Sequence, residues 1–199
     1  ARRGRQAPLS RDALAASGAQ TTPGQHVRIC FLSAEYSPFA KTGGLGDVAA
    51  ALTRQLARRG HDVRTFIPLH GQMDLRGVDL HPVEFLKDLA IRVGHHEFRY
   101  GVQTARVPGS ELWVYLVDCP ALFDRPRIYS DAHDEHVRYL MLTRAAFECC
   151  QRMAFAPQVV HANDWHTAFA PLLLRTAYAW DTGIFGGTKS VFTIHNIGY

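Results

Sequence analysis

Val27-Arg28-Ile29-Cys30-Phe31-Leu32-Ser33, followed after a short loop by Lys41-Thr42-Gly43-Gly44-Leu45-Gly46-Asp47, is the stretch whose reading decides the fold. Its first seven residues form a near-continuous apolar run, the pattern of a strand buried on both faces. Behind the glycines, Val48, Ala49, Leu52 and Leu56 recur at helical spacing, with Thr53, Arg54, Arg58 and Arg59 on the opposite face and Gly60 as the stop. A second apolar run over 62–68 completes a β-α-β unit, which predicts parallel strands joined by a right-handed crossover.

The segment between strand and helix carries chemistry of its own. Lys41, the adjacent Gly43 and Gly44, and Gly46 make a backbone that an anion can approach closely, because glycine has no side chain and tolerates positive φ. The start of a helix adds unpaired N–H groups and a partial positive charge. The spacing predicts a phosphate-type site at a strand-to-helix turn. A tight turn that needs glycine only for its backbone is the competing reading.

Composition narrows the classes. With 199 residues, 47% hydrophobic and 20% charged, the chain is long enough for one sizeable core and ordinary in makeup. No run of about 18 apolar residues occurs, so no spanning helix and no membrane partner are expected. The net charge of +4 sits largely in 1–26, where Arg2, Arg3, Arg5 and Arg11 face only Asp12. The remaining body has no basic stripe with interleaved aromatics, which argues against a nucleic-acid groove. Cys30, Cys119, Cys149 and Cys150 show neither C-x-x-C nor zinc spacing, so buried reduced thiols in a reducing compartment, the cytoplasm, are expected.

Residues 1–26 lack periodicity and read as a flexible leader, ahead of one domain over 27–199. Their Arg- and Ser-bearing, acid-poor composition also suits a transit peptide, which would place the protein in a plastid; a linker, an upstream remnant or a misassigned start has the same composition. The missing initiator Met and the end at Tyr199, just after His195-Asn196, suggest a piece of a longer chain.

Further along, 83–85, 89–93, 97–107 and 111–119 read as strands with short turns, an antiparallel excursion that rejoins the parallel sheet at 112–117. A helix is expected over 131–154, a short strand over 158–161, a helix over 165–178 and a strand over 189–194. This is an open α/β layer architecture, Rossmann-like and mostly parallel, and such sheets bind ligands beyond the carboxyl ends of their strands. That rule selects Glu35 and the Lys41 loop, Asp118, Asn163-Asp164-Trp165-His166, and His195-Asn196 as one polar edge.

Two familiar sites fail on spacing. A dinucleotide fold needs its glycines directly after the first strand, and here they come about nine residues late. A Walker loop needs lysine after its glycines, and Lys41 precedes them. A metal site built from His161, Asp164, His166 and His195 is disfavoured, because His161 and His166 lie across a strand-to-helix turn and not on one helix face. His95, His96 and His136 read as solvated.

The motifs Lys41-Thr42-Gly43-Gly44-Leu45-Gly46-Asp47, His161-Ala162-Asn163-Asp164-Trp165-His166 and Thr193-Ile194-His195-Asn196 together resemble the bacterial glycogen synthase and plant starch synthase family. Ser33-Ala34-Glu35 matches as well, and Pro120-Ala121-Leu122-Phe123-Asp124-Arg125-Pro126 with Ile128-Tyr129 is similar to the family's loop ahead of its long helix. Four motifs in order cover roughly the whole body of the chain.

The resemblance implies the N-terminal domain of a GT-B retaining glucosyltransferase, with the second domain absent. Such enzymes move glucose from ADP-glucose, or UDP-glucose in some members, to the 4-hydroxyl at the non-reducing end of an α-1,4-glucan, glycogen or starch. No cofactor is implied, since the sugar nucleotide is a substrate. By carry-over Lys41, Gly43 and Gly44 lie beside the donor, and Glu35, Tyr129, Asn163, His166 and Asn196 are substrate-binding. His195, Asp164 and Asp47 are the candidates nearest the chemistry, Asp47 through sugar hydroxyls or loop anchoring. Without its partner domain the chain is expected to have no synthase activity. The alternatives are a truncated non-catalytic glucan-binding or interaction module and a related GT-B glycosyltransferase with another donor, acting on sucrose or another sugar.

Overall fold

The computed structural model describes residues 26–196. Eight strands form one sheet: β1 (Arg28–Leu32), β2 (Asp62–Pro68), β3 (Leu80–Pro82), β4 (Leu89–Val93), β5 (His96–Arg106), β6 (Trp113–Asp118), β7 (Val159–Asn163) and β8 (Lys189–Thr193). The helices are α1 (Gly44–Arg58), α2 (Pro120–Phe123), α3 (Glu135–Arg152), α4 (Ala170–Arg175) and α5 (Thr182–Phe185).

The order β3-β5-β6-β2-β1-β7-β8 is parallel from β6 to β8, and antiparallel where β5 meets β3, β4 and β6. The expected excursion and its return to the parallel sheet are therefore present. From β1 the chain winds outward in one direction through β2, and later in the other through β7 and β8. The carboxyl ends of β1 and β7 therefore flank the point where winding reverses, the place where open α/β sheets hold ligands.

β1 shows why the sheet is covered on both faces. Successive side chains point to opposite sides. Ile29 and Phe31 join Tyr36, Ala49, Ala50, Val63 and Ile67 beneath α1, while Cys30 and Leu32 join Phe66, Tyr115 and the apolar face of α3. All four cysteines are free and buried.

Several boundaries differ from expectation. The first helix begins at Gly44, slightly ahead of the start expected at Gly46, so Gly44 and Gly46 lie in its first turn and Gly43 is its N-cap. Residues 84–86 form a 3-10 turn and not a strand, since Leu80–Pro82 takes the edge pairing with β5 and leaves Leu86 to plug the core. The helix expected over 165–178 is broken into a 3-10 turn, Trp165–Thr167, and the short α4, because Asp164 caps the first turn and Pro171 restarts the second. The short helices α2 and α5 had no expectation. The leader reading falls on residues outside those described, apart from His26.

Candidate functional site

The site is assembled from three loops at the carboxyl edge of the sheet. The first leaves β1. Glu35 is only 2% exposed, and its carboxylate accepts four hydrogen bonds. Oε2 accepts from the backbone N–H of Thr42 (2.8 Å) and Gly43 (3.2 Å); Oε1 accepts from the Thr42 hydroxyl (2.7 Å) and the Tyr129 hydroxyl (2.5 Å). Burial pushes the carboxyl up, but these donors outweigh it and hold Glu35 below the usual carboxylate range.

With Thr42 and Gly43 tied back to Glu35, α1 starts with no side-chain cap. Lys41 Nζ lies 2.7 Å from Asp47 Oδ2, both side chains about half exposed. Gly43 has φ −149°, extended backbone that any residue adopts, and a Cβ added at Gly43 or Gly44 meets no atom within 4 Å. Neither glycine is demanded by the turn or by packing. Gly46 is different: a Cβ there would stand 3.1 Å from the Ala40 carbonyl oxygen, against which the helix start is pressed.

The second loop follows β7. Asn163 is fully buried and crosses the reversal point: its Nδ2 donates to the carbonyl of Leu32 at the end of β1 (3.0 Å) and to that of His161 (3.3 Å). Its Oδ1 is thereby left as an acceptor, so His195 Nε2, 3.0 Å away, donates to it. His161 Nε2 contacts Thr193 Oγ1 at 2.8 Å, and the Asp164 N–H donates to the Thr193 carbonyl, which fixes β8 and its His195 against β7. Asp164 has φ 60° and ψ 177°, a region nearly restricted to glycine. Its Oδ1 caps the Trp165 N–H at 3.0 Å.

His166 is 2% exposed, stacked on Tyr129 (centroids 4.6 Å) and edge-on to Tyr139 (4.7 Å). Neither of its ring nitrogens has a hydrogen-bond partner. Burial pushes it down to about 3, Glu35 opposing and His70 and Arg138 adding to the fall.

The third loop precedes α3 and carries Tyr129. Arg138, fully buried, donates to the carbonyls of Leu122 (2.8 Å) and Ile128 (3.1 Å) and to Glu135 (2.6 Å). Tyr139 donates to the same Ile128 carbonyl at 2.9 Å. His70, just past β2, sits beneath with Nε2 3.0 Å from the Ala34 carbonyl oxygen; burial pushes it down to about 4.

The structure thus brings Lys41, Gly43, Gly44, Asp47, Glu35 and Tyr129 into one group, and Asn163, Asp164, His166 and His195 into an adjoining one linked through Tyr129. Asn196 follows His195 on the exposed side. Asp118 stands apart at the end of β6, accepting from Gln103 at 3.1 Å. Among the described residues no His, Cys, Asp and Glu cluster has the geometry to hold a metal ion, and no helix is long and apolar enough to cross a membrane. Thr42, His70, Arg138 and Tyr139 had drawn no role from the sequence. Arg138 had left a signal: a charge at helical spacing with Met141, Ala145 and Cys149 on a face otherwise apolar.

Fold and site together define a doubly wound α/β domain whose ligand edge presents an uncapped helix start, a lysine, an amide and an imidazole. Comparison with known proteins makes this specific. A family model described as the starch synthase catalytic domain matches residues 28–199, and the chain belongs to that family. It is 37% identical over 177 residues to a glycogen synthase of Aeromonas salmonicida, covering 87% of this chain and 35% of the relative. A glycogen synthase of Myxococcus xanthus is 40% identical over 179 residues, covering 87% and 36%. Among solved structures, the catalytic domain of starch synthase IV from Arabidopsis thaliana, bound to ADP and acarbose, superposes with a TM-score of 0.77 at 30% identity, over 86% of this chain and 34% of that one. The chain spans about a third of the length of the relatives it matches.

Proposed function

We propose that these residues form one wall of the sugar-nucleotide cleft of a retaining glucosyltransferase. It transfers glucose from ADP-glucose, or UDP-glucose, to the non-reducing 4-hydroxyl of an α-1,4-glucan in glycogen or starch synthesis, in the cytoplasm. The observation that carries the reading is the pair Gly43 and Gly44, which neither backbone conformation nor packing requires. A reason for two missing side chains then lies outside the chain, in a ligand that must reach the backbone. The helix start and Lys41 supply the charge that a diphosphate would meet.

As the glycosidic bond to the nucleotide breaks, the leaving diphosphate gains negative charge. Preoriented N–H groups and the Lys41 ammonium stabilise that state more than the ground state. Asp47, 2.7 Å from Lys41, restrains the ammonium. His195, with Nε2 committed to Asn163, faces the transferred glucose, and Asp164 and Asn196 contact sugar hydroxyls. Asn163 and His166 hold the wall from behind.

The test is calorimetric titration of the protein with ADP-glucose and UDP-glucose, together with glucose incorporation into glycogen. The 199-residue chain is expected to bind the donor weakly, with Lys41→Ala abolishing binding, and to transfer no glucose, in keeping with its spanning about a third of the length of the relatives it matches. Binding of glycogen with no binding of either nucleotide sugar would instead mark a glucan-binding module.

A further inference from the structure

We infer that Tyr129 and Glu35 are positioning residues, a phenol-carboxylate latch that sets the glycine turn against the segment ahead of α3. The inference rests on the proposed donor site and assigns these two residues a task other than touching substrate.

The geometry is specific. An ionised carboxylate offers about four acceptor positions, and those of Glu35 take four donors, two on each oxygen. The carboxylate is buried, and the four bonds leave a sugar hydroxyl no acceptor position on it. Three of the donors belong to Thr42 and Gly43, so Glu35 fixes the direction in which the chain enters α1. The fourth, Tyr129, comes from 94 residues away.

Tyr129 is itself held from two sides. The carbonyl of its neighbour Ile128 is gripped by Arg138 and Tyr139 from the first turns of α3. Its ring lies on His166, two residues beyond Asp164. One side chain therefore touches both halves of the site: its hydroxyl sets the glycine turn, and its ring face backs the Asp164 turn. The lowered pKa of Glu35 agrees, since Tyr129 is the largest of the favourable influences on its ionised form.

Tyr129→Phe removes only the donor and keeps the stack. Thr42→Val, at an exposed position, removes the Thr42 hydroxyl donor from the same carboxylate oxygen and guards against a Tyr129 variant that fails to fold. Amide hydrogen exchange of Thr42 and Gly43, the carboxyl shift of Glu35 and the affinity for ADP-glucose are measured in the 199-residue protein and each variant. Loss of one hydrogen bond to a charged group is expected to speed exchange at these two amides by about tenfold, to move the Glu35 carboxyl upward, and to weaken ADP-glucose binding by about fivefold to tenfold. Glycogen binding should stay unchanged. Unaltered exchange at Thr42 and Gly43 in both variants would overturn the latch whatever happens to binding. Faster exchange with unaltered ADP-glucose affinity would overturn the positioning role. Faster exchange in a protein whose parent form binds no nucleotide sugar would leave the latch standing and overturn the donor site.

Discussion

Replacing His166 by phenylalanine, and lowering the pH from about 7.5 to about 5, probes the least expected feature of the site. Two imidazoles, His166 and His70, are buried beside Glu35 and Arg138, and burial pushes them to about 3 and about 4 from an ordinary 6.5. Between those values and 6.5 the unfolded chain binds the proton and the folded one does not. Their burial therefore carries no proton-linked cost above 6.5, and stability is lost as the pH falls towards the folded values. At about 1.4 kcal/mol per unit, a pH some 1.5 units below 6.5 costs about 2 kcal/mol for each ring and about 4 for the pair. That is a large part of a typical stability of about 5–15 kcal/mol.

His166→Phe isolates half of this. Phenylalanine can keep the stack on Tyr129 and the edge contact with Tyr139, and no hydrogen bond is lost, because neither ring nitrogen has a partner. The variant is expected to be no less stable than the parent at about pH 7.5, where it removes two enclosed nitrogens that lack partners, and to gain about a further 2 kcal/mol on the parent at about pH 5. His70→Phe serves as contrast, since it strips the Ala34 carbonyl of its partner and should cost about 1–3 kcal/mol at neutral pH while also flattening the slope. Urea unfolding followed by tryptophan fluorescence across the pH series measures both. A His166→Phe protein that keeps the parent's full pH slope, or that loses more than about 1 kcal/mol at neutral pH, would refute the reasoning.

Lys41→Ala should change stability by less than about 1 kcal/mol, because its ion pair with Asp47 is half exposed, yet weaken donor binding far more than glucan binding; equal losses of both would indicate simple destabilisation. Asp164→Ala and Asp164→Gly both lose the carboxylate cap, but only glycine relaxes at φ 60°, so urea midpoints should place the glycine variant about 1–2 kcal/mol above the alanine one. Asn163→Ala should cost about 1–3 kcal/mol in thermal unfolding, through the buried Leu32 carbonyl left without its donor, and release His195 from its hydrogen bond, read as a changed imidazole chemical shift by NMR.

Much of the architecture was legible in the chain. The apolar run at 27–33, the 3.6-residue spacing behind it and the second run at 62–68 specify strand, helix and strand with little help from elsewhere, because burial on both faces leaves no polar positions to confuse the period. β2 and β4 fall on the residues expected. The carboxyl-edge rule selects Glu35, Lys41, Asp164 and His195 from the sequence, and with them Asp118, which stands apart at the end of β6. The failures have local causes. Val83-Glu84-Phe85 has strand composition, but the edge beside β5 was taken by Leu80–Pro82. The segment 165–178 has helical composition, but Asp164 and Pro171 divide it.

By itself the sequence determined the parallel sheet, the helix that opens on glycine and the set of polar residues at one edge, since each follows from short-range period and turn chemistry. What those residues do to one another was decided only by tertiary structure. Tyr129 and Glu35 lie 94 residues apart, and nothing local says that a phenol will complete a carboxylate's fourth hydrogen bond. Nor does local pattern reveal that Gly43 and Gly44 are free of any packing demand, or that both nitrogens of His166 are enclosed without a partner. Hydrogen-bond completion and burial are properties of atoms brought together by the whole fold, and no short-range pattern in the chain encodes them.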